Sequence, residues 1–192
     1  MKKDKLPYKT DPAEWLSNTT IDTFINKFAA ELPDSESVLY IPSKLYTEVK
    51  EGKKYFVNKL TERVTKSIKK ILIPINTGNH WRACFVDIES KCLVSLDSLR
   101  SNRHEVTAEL NLIVDVLNFI SKDIDFSNFQ FKKYASPQQD NTNDCGVFTV
   151  MNFYQILLNH DCTLTHEDVP RFRLFMASFV NAKKKYFYIY IY

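Results

Sequence analysis

The sequence contains only three glycines among its 192 residues, Gly52, Gly78 and Gly146. A dinucleotide-binding fingerprint needs three glycines within six positions, and a phosphate-binding loop needs two glycines ahead of a basic end. Because these three glycines fit neither pattern, both kinds of nucleotide site are excluded, together with collagen-like chains and glycine-rich linkers. The length is that of one ordinary globular domain, which buries enough apolar surface to fold without disulfides or a structural metal.

The sequence also lacks a strong net charge and a long apolar run. Lys and Arg number 26 against 23 Asp and Glu, and the formal net charge of +3 is too weak for a nucleic-acid-binding face. No segment approaches the roughly 20 apolar residues of a membrane span, and no apolar signal core follows the first lysines. We therefore expect a protein inside the cell, in the nucleus or the cytoplasm, with no membrane or nucleic-acid partner.

The four cysteines form no C-x-x-C pair and show no regular spacing, so neither a zinc knuckle nor a disulfide framework is indicated. Two histidines lie near Cys162, but a metal site needs further ligands at suitable spacing. The sequence therefore predicts no metal and no cofactor. It predicts free thiols in a reducing compartment at all four positions: Cys84, Cys92, Cys145 and Cys162.

Apolar residues recur at helical spacing in four segments of the chain. The first predicted helix has Asn18 as its N-cap and ends before Pro33, while the last follows Asp168 and Pro170, which suit a cap and a first turn. Residues 43–67 alternate less clearly and are predicted to form helix and loop. The four clear helices are predicted at residues 18–32, 106–120, 145–158 and 169–182.

Short runs rich in Ile, Val and Leu indicate strands, and two of them flank a tight turn at residues 89–90. A helix, then central strands, then helices indicate an α+β fold. We expect an extended lead-in over residues 1–13, one folded domain over residues 14–182 and a basic, aromatic tail over residues 183–192. The strands are predicted at residues 38–41, 70–75, 81–88, 91–96 and 129–134.

Cys145 differs from the other cysteines because it stands where a polar loop becomes a helix. Unpaired N–H groups and the positive end of the helix dipole favour a thiolate at the first turn. Gly146 beside it removes a side chain where another group must come close. Cys84 and Cys92 lie in apolar strands and are predicted to be inert core thiols. These features favour Cys145 as a nucleophile, although a cysteine at a helix start is often only a neighbour of the cap.

A nucleophilic thiol needs a histidine partner, and that histidine needs an orienting acceptor. His80 opens a central strand and Asp97 ends the next one. With the turn at residues 89–90 the two fall close to mirror positions across the hairpin, so imidazole and carboxylate can be neighbours. The alternative is that His80 caps a strand and Asp97 begins a turn, and spacing alone does not separate these. The remaining histidines lie in polar segments and are predicted to be surface residues: His104, His160 and His166.

Four dispersed motifs follow in order along the chain: Gly-Asn-His-Trp at 78–81, Leu-Asp-Ser at 96–98, Pro-Gln-Gln at 137–139 and Asn-Asp-Cys-Gly at 143–146. Together they resemble the catalytic signature of the sentrin-specific (SUMO-specific) cysteine proteases, which mature and deconjugate ubiquitin-like modifiers. Weaker similarities at residues 15–18 and 167–176 extend the resemblance over roughly residues 15–182. It implies a papain-like α+β fold, with a central mixed or antiparallel sheet, flanking helices and the nucleophile at the start of a buried helix.

The resemblance also implies a role for each matching residue. Cys145 is the nucleophile, His80 the general base, Asp97 the orienting residue and Gln139 an oxyanion donor beside the Cys145 N–H. A loop glutamine otherwise bonds its own backbone. Trp15 and Trp81, the only two tryptophans, fall at the family's two clamp positions, which close over the Gly-Gly tail of the modifier, although a single tryptophan is more often a core residue.

The activity expected from this resemblance is cleavage after the C-terminal Gly-Gly of a modifier by a monomeric cysteine peptidase, with SUMO as the first choice. Asn18 stands where the family commonly has Asp, which removes a charge that could pair with the modifier, so the neddylation modifier and ubiquitin remain alternatives. Related bacterial effectors acetylate proteins with a similar thiol site, but they typically carry Glu where this chain has Asp97. A non-catalytic modifier-binding module is the last alternative.

Overall fold

The computed structural model describes residues 14–53, 55–100 and 103–182, and in them a five-stranded sheet separates two layers of helices. The predicted lead-in at residues 1–13 and the tail at residues 183–192 lie outside the described residues. The helices are α1 (Asn18–Ala30), α2 (Lys44–Lys50), α3 (Tyr55–Leu60), α4 (Arg103–Ile120), α5 (Cys145–Leu157) and α6 (Val169–Asn181). The strands are β1 (Val38–Tyr40), β2 (Lys70–Asn76), β3 (Trp81–Asp87), β4 (Cys92–Leu96) and β5 (Gln130–Lys133).

The sheet runs in the order β1-β2-β3-β4-β5 and is mixed. The three central strands are antiparallel neighbours, while β1 and β5 pair in parallel with β2 and β4. Both parallel connections carry helices, as parallel pairing requires. The predicted α+β fold with a mixed sheet and flanking helices is confirmed.

The two faces of the sheet bury separate apolar clusters because successive strand residues point to opposite sides. On one face, Trp81 and Ala83 of β3 pack with α1, α5 and α6. On the other face, Cys84 and Val86 of the same strand pack with α2, α3 and α4. Helices cover both faces of the central strands, and β4 is buried at every position, whereas Gln130 and Phe131 of the edge strand β5 are exposed. No helix among the described residues is long and apolar enough to cross a bilayer.

The start of α1 lies one residue earlier than predicted. Ser17, not Asn18, is the N-cap: its backbone is extended and its Oγ accepts a hydrogen bond from Thr20 N at 3.1 Å. Asn18 is the first helical residue, and its Oδ1 instead accepts from the Asn76 side chain at 3.1 Å. Serine is a good N-cap because its short hydroxyl reaches an unpaired helical N–H.

Asp168 precedes α6 as predicted, and Pro170 lies in the first turn, but the carboxylate of Asp168 caps a different element. It accepts from Thr165 N at 2.8 Å and closes a capping box on the short 3-10 turn His166–Asp168. At the other end of α6, the Lys27 ammonium donates to three carbonyls of the last turn and the residue after it, which supplies the partners that a helix end lacks.

Candidate active site

Cys145 is the first residue of α5, and its side chain lies almost completely buried between that helix and the sheet. The preceding residues are turns of a polar loop, so the chain enters the helix at the cysteine, as the sequence predicts. The carbonyl of Asp144 accepts the first helical hydrogen bond from Phe148 N at 3.0 Å. The thiol therefore lies beside the unpaired N–H groups and the positive dipole end of a long buried helix.

Gly146 makes this helix start possible. A Cβ placed there would lie 3.0 Å from Leu16 Cβ and 3.3 Å from Trp81 Cδ1. The predicted close approach at Gly146 is thus confirmed, and the groups that approach are the segment after Trp15 and the strand start at Trp81. Gly78, beside His80, has a different role: a Cβ there would meet nothing within 4 Å, but the backbone has φ +100°, which favours glycine.

His80 and Asp97 are in contact, as the hairpin register predicts. The imidazole Nε2 lies 2.7 Å from Asp97 Oδ1, and both side chains are buried. Ala83 pairs with Leu96, so the turn is centred where the sequence places it and residues 80 and 97 lie just beyond the last paired positions. Asp97 Oδ1 also accepts from Leu99 N at 2.9 Å, which fixes the carboxylate relative to the chain that leaves β4.

The imidazole of His80 has Cys145 as a second neighbour. Burial lowers the pKa of His80, but the hydrogen bond and charge of Asp97, together with the interaction with Cys145, outweigh this and raise the pKa to about 9. Since Nε2 is engaged by Asp97, Nδ1 is the ring nitrogen left for proton exchange with the thiol. A protonated imidazole and a thiolate side by side are a suitable nucleophile and acid pair.

Gln139 is buried in the loop that precedes Cys145 and is joined to the end of β4. Its backbone N donates to Ser98 O at 3.0 Å, and its Oε1 accepts from the Ser98 hydroxyl at 2.6 Å. Its Nε2 donates to Asn141 O at 2.7 Å, inside the same loop. The neighbouring Gln138 Nε2 donates to Asp97 O at 2.9 Å. The loop is therefore held against Asp97, while an oxyanion role for Gln139 stays a prediction.

Asp144 and Arg173 form a buried ion pair that the sequence reasoning did not identify. Arg173, on α6, donates through Nη2 to Asp144 Oδ1 at 2.5 Å and to Glu14 O at 3.0 Å. Asp144 Oδ2 accepts from Asn141 Nδ2 at 2.7 Å. One guanidinium thus ties the residue before Cys145 to the segment that carries Trp15. Arg173 belongs to one of the motifs that carry the family resemblance, which was the available signal, but nothing in its spacing pointed to Asp144.

A second buried pair was also missed. Arg82, on β3, donates through Nη2 to Glu109 Oε1 of α4 at 2.7 Å, and its Nη1 lies 3.9 Å from Asp97 Oδ2. The signal was present in the hairpin register, because the pairing of Ala83 with Leu96 makes Arg82 and Asp97 the next opposed positions.

The two tryptophans occupy different environments. Trp81 is 3% exposed and belongs to the apolar cluster beneath α5, whereas Trp15 is 45% exposed. At the start of α5, Trp81 Cδ1 would lie 3.3 Å from a Cβ at Gly146, and Leu16, the residue after Trp15, would lie 3.0 Å from it. A clamp made by these two side chains stays a prediction.

The remaining cysteines and histidines differ in how close they come to this site, and Nδ1 of His166 lies 3.9 Å from Asp144 Oδ2. Cys84 is fully buried, and burial raises the pKa of its thiol to about 12; burial likewise raises the pKa of the half-buried Cys162 to about 11. His166 Nε2 lies 2.9 Å from Asp140 Oδ1 at the surface of the loop. No group of three or more potential metal ligands occurs among the described residues. Of the remaining cysteines and histidines, Cys92 is buried, and His104 and His160 are exposed.

The profile of the Ulp1 protease family, C-terminal catalytic domain, matches residues 14–184. The chain belongs to the Ulp1 protease family.

Two relatives within the Ulp1 family are about a quarter identical to this chain over the aligned residues. Sentrin-specific protease 2 of Pongo abelii is 27% identical over 167 residues, which cover 83% of this chain and 28% of the relative. Ubiquitin-like-specific protease 1 of Saccharomyces cerevisiae is 24% identical over 177 residues, which cover 88% of this chain and 28% of the relative. The chain thus spans a little over a quarter of the length of these relatives.

Solved structures of the family share the fold. The C-terminal Ulp1 protease domain in complex with Smt3, the yeast ortholog of SUMO, superimposes with a TM-score of 0.77 and 25% identity, over 89% of this chain and 78% of that domain. A Ulp1 structure in which the catalytic cysteine is oxidised to a sulfenic acid gives a TM-score of 0.78 at 25% identity, over 89% of this chain and 79% of that one.

Proposed function

We propose that this member of the Ulp1 family is a cysteine peptidase that cleaves after the C-terminal Gly-Gly of a ubiquitin-like modifier, with SUMO as the substrate. The observation that carries the proposal is the contact of three side chains. Cys145 lies at the start of α5, and its neighbour His80 is held by Asp97 at the open end of the β3–β4 hairpin. The names of the relatives and the Smt3 complex of the Ulp1 domain support SUMO as the modifier.

In the first step of the proposed reaction, the Cys145 thiol gives its proton to Nδ1 of His80 and becomes a thiolate. The thiolate attacks the carbonyl carbon of the last glycine, and the carbonyl oxygen becomes an oxyanion that the Cys145 N–H and the Gln139 amide stabilise. His80 then gives its proton to the leaving amine as the C–N bond breaks. Water loses a proton to His80 and attacks the thioester, so the C–S bond breaks, the modifier leaves with a free carboxylate and the thiolate is restored.

Asp97 holds Nε2 through this cycle, which keeps Nδ1 directed at the sulfur and stabilises the imidazolium. Trp15 and Trp81 are proposed to form a slot beside Cys145 that only residues without side chains can thread. Such a slot selects a Gly-Gly tail by excluding other sequences. The crowded packing around Gly146, which brings Leu16 and Trp81 to the helix start, supports this placement.

The setting proposed for this activity is inside the cell, in the nucleus or the cytoplasm. Four cysteines without a disulfide are in keeping with a reducing compartment, which would also keep the proposed catalytic thiol reduced. The protein is further proposed to act as a monomer, without a cofactor and without binding nucleic acid.

The test is hydrolysis of C-terminal aminocoumarin derivatives of SUMO, the neddylation modifier and ubiquitin. The expected result is turnover of the SUMO derivative that is lost in Cys145→Ser and kept in Cys162→Ser, the matched change of a thiol outside the site. Preferential turnover of one of the other two modifiers would replace SUMO as the substrate. No turnover of any of the three by folded protein would refute the proposed activity.

A further inference from the structure

Arg82 is a buried cation that the proposed reaction does not use directly. Its side chain is 4% exposed and lies between the sheet and α4, in a layer built mainly of apolar side chains. Burying a guanidinium is costly unless acceptors surround it. Two carboxylates on different elements face it: Glu109 on α4 accepts its hydrogen bond, and Asp97 at the end of β4 lies at ion-pair distance.

The hairpin register places Arg82 directly opposite Asp97, one position beyond the pair of Ala83 with Leu96. Opposed residues of an antiparallel pair project to the same face, so both side chains point toward α4. The two oxygens of Asp97 therefore face different cations: Oδ1 lies 2.7 Å from His80 Nε2, and Oδ2 lies 3.9 Å from Arg82 Nη1.

The distances show how the guanidinium is shared. Arg82 Nη2 lies 2.7 Å from Glu109 Oε1, so the hydrogen bond goes to Glu109 and the longer approach goes to Asp97. Guanidinium binds a carboxylate most strongly in a two-pronged geometry. An Arg82 without Glu109 would take that geometry with Asp97 and compete with His80 for its oxygens.

We infer that Arg82 and Glu109 form a positioning pair for the proposed reaction. Glu109 restrains the guanidinium of Arg82, and the guanidinium in turn holds Oδ2 of Asp97, so that Oδ1 of Asp97 stays bound to His80. This inference rests on the proposed function. Arg82 and Glu109 do not touch the reacting atoms, and they act through Asp97.

Other charged and titratable groups surround the pair and enter its pH dependence. Burial raises the pKa of Glu109, while the positive charge of Arg82 lowers it. Burial raises the pKa of Tyr46 to about 12, helped by the charge of Glu109 and a hydrogen bond to it. The groups that face Glu109 come from α2, α4, β3 and the end of β4: Tyr46, Lys50, Glu105, Arg82 and Asp97.

The test is the pH dependence of kcat for single variants at the two ends of the pair. Glu109→Gln frees Arg82 to bind Asp97, so kcat is expected to fall roughly 10- to 100-fold with little change in KM. The alkaline limb of the kcat–pH profile, where His80 loses its proton, is expected to move down by about one pH unit. Arg82→Met withdraws a cation from Asp97, which then interacts more strongly with His80, so the limb is expected to move up. Opposite shifts distinguish positioning from a loss of stability, which would lower activity without moving the limb.

Two further variants complete the design. Asp115→Asn removes an exposed carboxylate farther along α4 and is expected to leave kcat and the limb unchanged. Arg82→Lys is the gentler second variant, should a larger change prevent folding. Its single ammonium satisfies Glu109 and retreats from Asp97, so it is expected to shift the limb upward as Arg82→Met does. Wild-type kcat and limb in Arg82→Lys, or shifts of Glu109→Gln and Arg82→Met in the same direction, would overturn the inference.

NMR titration of the His80 ring in the same proteins reads the effect without turnover. The ring pKa is expected to follow the limb, lower in Glu109→Gln and higher in Arg82→Met. These shifts in a protein that cleaves no modifier would refute the proposed function while supporting the positioning pair. Unchanged ring titrations in an active enzyme would refute the positioning pair alone.

Discussion

The β3–β4 hairpin and the loop before α5 both carry polar residues of the candidate site, but they hold them in different ways. His80 and Asp97 lie just past a ladder of paired strand residues, so backbone register brings them together. The loop at residues 136–144 has no such ladder: one backbone bond, from Gln139 N to Ser98 O, and several side chains join it to distant segments. Its contacts run to Ser98 and to Arg173 on α6. A change in the hairpin should therefore affect chemistry first, and a change in the loop should affect stability as well.

The largest expected effect lies in the hairpin. Asp97→Asn keeps the size of the side chain but removes the charge that orients and stabilises the His80 imidazolium. We expect kcat/KM to fall roughly 10³- to 10⁴-fold, by analogy with the loss of the orienting acid in other triads. Asp115→Asn, an exposed change on α4, is the control and should retain full activity. An Asp97→Asn enzyme within tenfold of wild type would show that hairpin register alone positions His80.

The second effect tests whether the loop depends on its distant partner. Arg173→Met leaves the Asp144 carboxylate buried without its cation, which is expected to cost about 3–5 kcal/mol of unfolding free energy. Arg171→Met on the same helix breaks an exposed pair with Asp168 and should cost no more than about 1 kcal/mol. Denaturant unfolding of both variants gives the comparison. Equal losses for the two would mean that the loop does not depend on Arg173.

Gln139 separates the loop's structural bonds from its proposed chemistry. Gln139→Ala removes the bond from Ser98, the bond to Asn141 O and the proposed oxyanion donor, so kcat is expected to fall roughly 10²- to 10³-fold. Ser98→Ala removes only the bond, and its loss should be much smaller. Gln139→Glu keeps an acceptor for Ser98 but has no N–H to donate, and it should resemble Gln139→Ala. A Ser98→Ala enzyme as slow as Gln139→Ala would make Gln139 a structural residue.

The smallest perturbation is a change of pH. Since the pKa of His80 is raised from 6.5 to about 9, the protonated ring favours the folded state below pH about 6.5, and this contribution is lost as pH rises through about 9. The proposed reaction needs the same proton, so kcat should fall along an alkaline limb near pH 9. Unfolding free energies and kcat between pH 6 and 10, with His80→Gln as the reference for stability, check both. A limb near pH 6.5 would mean that Asp97 and Cys145 do not hold the proton on the ring.

The residues that the sequence could predict are those that local pattern controls. The turn at residues 89–90 set the register, and the register placed His80 beside Asp97. The change from a polar loop to an apolar run of residues predicts that Cys145 stands at the start of a helix. The N-cap was assigned one residue late because Ser17 and Asn18 are both good caps, and only the backbone conformation of Ser17 distinguishes them.

The residues that it could not predict depend on partners far along the chain. Arg173 lies 29 residues from Asp144, and Arg82 lies 27 residues from Glu109. Neither separation follows a helical or strand period, so periodicity gives no sign that these charges are buried together. Gln139 and Ser98 are 41 residues apart, and no sequence pattern indicates that they are in contact. Arg82 is the exception in one respect, because the same register that placed His80 also places it opposite Asp97.

The most direct measurement of the central claim is covalent labelling of the folded protein by SUMO that carries a C-terminal vinyl sulfone. The account predicts one adduct, on Cys145, identified by mass spectrometry of the modified peptide. Labelling should be strongly slowed in His80→Ala and unaffected in Cys162→Ser. No adduct on folded wild-type protein, or an adduct on Cys84, Cys92 or Cys162 with Cys145 unmodified, would contradict it.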